Sequence, residues 1–231
     1  MKHLIETIDS SSLPIVEYDR LILNSTTNDV LVRGGVNTEY VDLGLSVKWA
    51  KCNIGAETET DYGDFFMWGS TKANTPDECV WEHAPFNGGN TSYNADAFNK
   101  VKDTACPNGI LAKEYDAAAQ IMGGDWRMPT DTEIQELLDN TTNEWTQVNG
   151  VNGRKFTSIK EGYQNNSIFI PAAGYCDGGS VSDVGDIGYV WSSSLSASYP
   201  AGAWNLYFDS GDCGMDNSTR CYGQSVRGVR N

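Results

Sequence analysis

Glu39-Tyr40-Val41-Asp42-Leu43-Gly44-Leu45-Ser46-Val47-Lys48-Trp49-Ala50 carries an apolar side chain at every second position from Val41 to Trp49. A period of two puts those side chains on one face of an extended chain, so the stretch reads as half-buried paired strands that open the main domain. The aromatic run Asp61 to Trp68 follows and reads as core. Two helices come next. Ile110, Leu111, Tyr115, Ala118, Ala119 and Met122 make a helical stripe ending at Gly123-Gly124. Thr130-Asp131-Thr132-Glu133 is a capping box, in which each terminal side chain satisfies the other residue's backbone N–H, with Ile134, Leu137 and Leu138 as the buried stripe. From Phe156 the chain is β-like again, at Ser167 to Pro171, Tyr189 to Trp191, Ala203 to Phe208 and Ser225 to Val229. Asp77 to Cys106 has no clear period and reads as a long loop excursion. Strands at both ends with two helices between them define an α+β fold with short, irregular β-sheets.

Residues 1–38 read differently. Leu13 to Tyr18 and Asp29 to Arg33 are short β-prone runs around the turn-rich Asn24-Ser25-Thr26-Thr27-Asn28, and Gly34-Gly35 then breaks the chain. The expectation is a small β-rich N-terminal appendage (1–38) that docks to a partner or packs on the main domain (39–231).

The chain is acidic, with 16 basic against 31 acidic residues and a formal charge of −15. Phosphate backbones and anionic lipid surfaces repel such a chain, so neither nucleic acid nor membrane insertion is expected. No secretory leader is visible at Met1 to Glu6, so the protein is kept in a cytoplasm, leaves by lysis or has had a leader trimmed, and a virion (phage tail) or cell-surface location is the expectation. Six cysteines show no CxxC pair. An even count permits disulfides, but buried reduced thiols are the expectation.

Catalytic signatures are missing. There is no nucleophile elbow, P-loop or dinucleotide glycine pattern, and His3 and His83 give histidine chemistry little material. Glu57, Glu59, Asp61 and Asp64 offer paired carboxylates but read as a solvated loop face. Asp177, Asp183 and Asp186 offer oxygen ligands without the spacing of a known calcium loop. No metal site, cofactor or enzymatic activity is expected.

Several segments together resemble the "major paralogous domain" of Bacteroides and Fibrobacter proteins: Glu39 to Ala50, Asp61 to Gly69, Trp126-Arg127-Met128-Pro129-Thr130 with Glu133, Ile168 to Tyr175, Val190 to Ser194 and Gly223 to Arg230. That resemblance implies a C-type-lectin-like, formylglycine-generating-enzyme-like fold. The C-terminus further resembles the variable protein of a diversity-generating retroelement, in which errors at template adenines diversify Asn codons. On this likeness Ser198, Pro200, Ala203, Trp204, Leu206, Phe208, Met215, Arg220 and Gly223 to Arg227 are the fixed frame, with Trp191 also scaffold.

The ligand-binding positions implied within the region of about 189–222 are Tyr199, Ala201, Gly202, Asn205, Tyr207, Asp209, Asp212, Cys213, Gly214, Asp216, Asn217, Ser218, Thr219, Cys221 and Tyr222. All belong to the set reachable from an AAC codon altered at its adenines, which lacks Trp, Met, Lys, Glu and Gln. Strand periodicity agrees with that division. Trp204, Leu206 and Phe208 fall on one face as core, and Asn205, Tyr207 and Asp209 fall on the other, facing solvent.

The function so implied is a hypervariable receptor-binding protein or adhesin that recognises a protein or glycan on a bacterial surface. Its appendage would join a virion or pilus partner. The alternatives are a calcium-dependent lectin, a formylglycine-generating-type enzyme on the same fold, and a structural subunit without a ligand.

Overall fold

The computed structural model describes residues 21–23, 30–32 and 36–231, which divide into two compact units, Met1–Val36 and Asn37–Asn231. In the first, β1 (Leu21–Leu23) pairs antiparallel with β2 (Val30–Val32), Ile22 opposite Leu31. The strand expected at Leu13 to Tyr18 lies outside the described residues.

The second unit opens with β3 (Tyr40–Val41), β4 (Lys48–Ala50) and β5 (Phe65–Phe66), then α1 (Ala95–Ala105), α2 (Ala117–Ile121) and α3 (Asp131–Asp139). Next come β6 (Thr141–Val148), β7 (Val151–Ser158), β8 (Ser167–Pro171), β9 (Tyr175–Asp177) and β10 (Ser180–Ser182). The chain ends with β11 (Gly188–Leu195), β12 (Gly202–Phe208), β13 (Cys213–Thr219), β14 (Gln224–Ser225) and β15 (Val229–Arg230). The sheets run β13-β12-β11-β14-β5, β15-β4-β3, β6-β7-β8 and β10-β9. This is a mixed α+β architecture of several small sheets, as the sequence pattern predicts, with no closed barrel among the described residues.

The five-stranded sheet is apolar on both faces. One face sends Val190, Leu206 and Phe208 into a cluster with Leu43, Trp49, Ile134 and Leu137. The other sends Trp191, Ala203 and Val226 against Phe66, Trp68 and Phe98. Full burial of a side chain such as Leu206 contributes about 1.5–3 kcal/mol. Gly188 is required by the first face, because a Cβ there would sit 2.0 Å from the Phe208 ring. Two indoles tie distant segments across the sheet: Trp68 Nε1 donates to Ser192 O at 2.9 Å, and Trp191 Nε1 to Phe66 O at 2.8 Å.

The Trp126 to Thr130 motif has a physical explanation. Arg127 forks onto Glu133 with bonds of 2.7 and 2.5 Å, and the capping box between Thr130 and Glu133 is formed. Met128 N donates to the Asp116 carboxylate, and Pro129 O accepts from Ser193 N at 2.7 Å. The start of α3 is therefore fastened to both α2 and β11.

Sequence periodicity misplaced several elements. There are three α-helices among the described residues, not two. α1 lies inside the stretch expected to be loop; it is capped by Asn94, which accepts from Ala97 N, and buries Phe98 and Ala105. The helix expected over Ile110 to Met122 is broken. Leu111 N donates to Ser193 O at 2.9 Å, drawing that end onto β11, and Asp116 caps the short α2 afresh. The β6–β7 hairpin begins before Phe156. Its turn is Asn149-Gly150 with φ of 50° and 83°, the left-handed pair that a tight hairpin demands.

Arg227 has no exposed surface. Its Nε donates to Asn53 Oδ1 at 2.9 Å, and Nη1 to the carbonyls of Ala50, Lys51 and Phe169 at 3.3, 2.9 and 3.1 Å. Burial pushes the guanidinium down to about 10.

Two predictions follow from these contacts. Arg227→Ala should destabilise the fold by about 3 kcal/mol or more in urea unfolding, since several charge-assisted bonds go at once. Burial of Glu133 opposes its ionisation, but the bonds from Arg127 and Thr130 hold its carboxyl below the usual range. The stability it contributes is thus complete above the ordinary Glu pKa and is lost as pH falls through the lower folded value. Glu133→Gln should remove about 1–3 kcal/mol at neutral pH, and should flatten that acid limb of stability against pH.

Candidate functional site

The surface of interest is the face of the C-terminal sheet bearing Tyr189, Tyr207, Asn205, Gly214, Asp216 and Ser218. Register puts them together: Tyr189 opposes Tyr207, Tyr207 opposes Gly214, and Asn205 opposes Asp216. Tyr175 joins from β9, which is held beside Gly223 by reciprocal backbone bonds, Cys176 N to Gly223 O at 2.7 Å and Gly223 N to Cys176 O at 3.0 Å. That pairing sets Tyr175 against Tyr222. The result is a ladder of four half-buried rings, Tyr222–Tyr175–Tyr189–Tyr207, with centroid spacings of 5.4, 5.5 and 5.4 Å.

Carboxylates surround the ladder. Tyr207 Oη donates to Asp209 Oδ2 at 2.5 Å, and Asp209 Oδ1 accepts from the N–H groups of Gly211 and Asp212 at 2.6 and 2.7 Å. The Tyr207 bond and those N–H groups hold the Asp209 carboxyl below its usual range. The same bond pushes the Tyr207 phenol up to about 12. Burial, then the neighbouring Tyr175, Asp216, Asp183 and Asp209, push Tyr189 up to about 12 as well. Arg154 on β7 fixes the loop between β12 and β13, its Nη1 donating to Asp209 O and Asp212 O at 2.7 Å each.

The expected ligand-binding residues divide into three groups. Asn205, Tyr207, Gly214, Asp216 and Ser218 share the ladder face, and Asp209 and Tyr222 border it. Gly202, Cys213, Asn217 and Thr219 project to the opposite face, in register with Trp204, Leu206 and Phe208. Tyr199 and Asp212 are exposed in the flanking loops, and Tyr199 Oη lies 3.3 Å from Thr219 Oγ1.

Four of the expected display positions are buried. Asn205 has no exposed surface, Gly202 is buried, and Ala201 and Cys221 are 7 % and 4 % exposed. Asn205 is drawn in because its neighbours on that face, Ala203 and Trp191, belong to the core, and its Nδ2 donates to Ser218 Oγ at 2.8 Å. A Cβ on Gly202 would meet the Tyr199 ring at 2.3 Å, whereas one on Gly214 meets nothing within 4 Å. Of the expected scaffold, Trp191, Phe208 and Arg227 are buried, but Trp204 and Met215 are only half-buried because β13 is the sheet edge. Tyr175 and Tyr189 were not among the expected residues.

The chemistry on this face is ring surface, phenol and carboxylate, which serves stacking, hydrogen bonding and charge recognition. All six cysteines are free thiols. Burial pushes Cys213 up to about 11 and Cys221 up to about 12, which leaves both protonated and poorly nucleophilic near neutrality. Asp177, Asp183 and Asp186 are all exposed, and among the described residues no group of three or more His, Cys, Asp or Glu is arranged to hold a metal ion. In the cluster of Glu57, Glu59, Asp61 and Asp64, the Asp61 carboxylate is engaged by the Glu57 and Thr58 N–H groups. No helix among the described residues is long and apolar enough to cross a membrane.

The Tyr207–Asp209 bond makes a spectroscopic prediction. Tyr207→Phe should move the Asp209 carboxyl resonance titration upward toward the ordinary Asp pKa. An unmoved Asp209 titration would show that the backbone N–H groups alone hold it.

No curated protein and no solved structure matches the chain. A family model described as the Lcl C-terminal domain matches residues 41–230, nearly the whole of the second unit. The chain belongs to the Lcl C-terminal domain family.

Proposed function

We propose that this chain is a non-catalytic binding protein, whose C-terminal sheet face and adjoining loops form a replaceable ligand-binding surface on a fixed scaffold. The observation that carries the reading is the ladder face itself. Four positions expected to diversify, Tyr207, Gly214, Asp216 and Ser218, are brought side by side on one face of one sheet, while Leu206 and Phe208 between them are core. Diversification of the display positions would then change the surface and spare the fold. Tyrosine supplies large, rigid contact area at low entropic cost, and short polar residues adapt around it.

The burial pattern refines the proposal. The replaceable set is Tyr199, Tyr207, Asp209, Asp212, Gly214, Asp216, Ser218 and Tyr222, whereas Cys213, Asn217 and Thr219 project to the opposite face. Ala201, Gly202, Asn205 and Cys221 belong to the support beneath it. The ligand is a protein or glycan on a bacterial surface, and the N-terminal unit attaches the domain to a virion or pilus partner. A diversity-generating retroelement is the source of the variation.

Deep sequencing of the 3′ end of this gene and its flanking DNA, across the population that carries it, tests the reading. Substitutions should concentrate at the replaceable positions, should be sparse at Asn205 and Cys221, and should spare Leu206, Phe208 and Arg227. A nearby template repeat should account for them. Evenly scattered substitutions with no repeat would remove the basis for the proposal.

A further inference from the structure

Part of the ladder does not belong to the replaceable set. Tyr175 and Tyr189 lie outside the positions expected to diversify, and so do Asp177 and Asp183. Whatever Tyr207, Asp216 and Tyr222 become, this constant part gives the surface one chemical character.

That character is aromatic and anionic. The fields of Asp183, Asp209 and Asp216 reach Tyr189, and that of Asp177 reaches Tyr222. After Glu161 the sequence holds six aspartates and three arginines. Two of those arginines are withdrawn from the surface: Arg220 is 1 % exposed, with its guanidinium 4.0 Å from the Phe98 ring centroid, and Arg227 is wholly buried. The third, Arg230, is taken by Asp125 and the rings of Tyr40 and Trp126. No cation of the C-terminal segment therefore covers the ladder.

Two buried acceptors lie on the same face. Asn205 Oδ1 and Gln224 Oε1 have no hydrogen-bond donor, and both residues are at most 1 % exposed. Asn205 follows from its pairing with Trp191 on that face. Gln224 precedes Ser225, which pairs with Val190 of the opposite face, so Gln224 projects with Tyr189. Of the four phenols only that of Tyr207 has a hydrogen-bond partner among the described residues.

We infer that the constant part of this face selects cationic partners, an extended protein segment bearing Arg or Lys that lies across the tyrosine ladder. Ring faces attract a guanidinium or ammonium group within about 6 Å of the centroid. Asp177 and Asp183, which lie outside the replaceable set, supply the counter-charge. An acidic segment would meet repulsion, and a neutral glycan would leave the carboxylate ring without a counter-charge.

The inference rests on this face being the ligand surface. Its test is separate from the sequencing result, which stands whatever the ligand's charge. The full chain is titrated with hexa-arginine, hexa-glutamate and a neutral oligomannose by calorimetry, and the ring signals of Tyr175, Tyr189, Tyr207 and Tyr222 are followed by NMR in the unaltered protein. Hexa-arginine should bind and shift all four rings. The pair Tyr175→Leu, Tyr189→Leu should weaken binding about tenfold or more, the pair Tyr175→Phe, Tyr189→Phe should retain it, and Asp177→Asn with Asp183→Asn should weaken it. Hexa-arginine binding that leaves the four rings unshifted, or that is unchanged in the Leu pair, would reduce the effect to bulk charge and overturn the inference. Absence of binding, or a preference for hexa-glutamate or oligomannose, would overturn it as well.

Discussion

A guanidinium with no water around it must find its hydrogen bonds inside the protein, and Arg227 finds them through Nε and Nη1 on two separate pieces of chain, with Nη2 left unpartnered. Asn53, Ala50 and Lys51 come from the opening strands and the loop after them, and Phe169 from β8. Arg227 itself lies between β14, an inner strand of the five-stranded sheet, and β15, which pairs with β4. One side chain thus fixes the C-terminal segment to the opening of the second unit and to a third sheet. Leaving such a charge unsatisfied costs several kcal/mol, so the termini of the domain and its C-terminal sheet are held in one arrangement. Everything displayed between β11 and β14 is bracketed by that constraint on one side and by Arg220, caged among Trp68, Trp81, Tyr93 and Phe98, on the other.

This bracketing separates stability from recognition. The sheet is clamped by two apolar clusters, by the indole bonds of Trp68 and Trp191, and by the cap of α3. The positions that carry ring, phenol and carboxylate to the surface sit on top of that support. A residue such as Gly214, whose Cβ would meet nothing within 4 Å, has room for a side chain. A residue such as Asn205 cannot, because it sits among core neighbours and is bound to Ser218.

Much of this was legible in the sequence. The capping box at Thr130 and Glu133 and the two faces of Trp204 to Phe208 follow from periodicity and local hydrogen-bond chemistry alone. The alternation expected from Val41 to Trp49 is instead interrupted at residues 42–47, where the chain bends, which leaves only Tyr40–Val41 and Lys48–Ala50 as paired strands. The Asn149-Gly150 hairpin carried an equally clear signal that periodicity reading passed over. α1 did not, because Phe98, Val101 and Ala105 are its only well-spaced apolar positions. The break at Ile110 to Met122 was out of reach for a different reason: its cause is a tertiary bond from Leu111 to Ser193. So was the ladder. Tyr175, Tyr189, Tyr207 and Tyr222 come together through strand register and the Cys176–Gly223 bridge, neither of which is local. Alternation along β12 also misjudged Asn205, since a face that is polar at Tyr207 is core two residues away.

The most direct test of a replaceable surface on a fixed scaffold is thermal unfolding of two multiple variants. In one, Tyr199, Tyr207, Asp212, Gly214, Asp216, Ser218 and Tyr222 are all changed to Asn. In the other, only Leu206→Ala and Phe208→Ala are made. The account predicts that the seven-fold variant keeps a cooperative transition near that of the parent. The two-fold variant should lose about 5–10 kcal/mol, enough to unfold a domain of ordinary stability. If the seven-fold variant unfolds as completely as the two-fold one, those positions are part of the scaffold and the account is wrong.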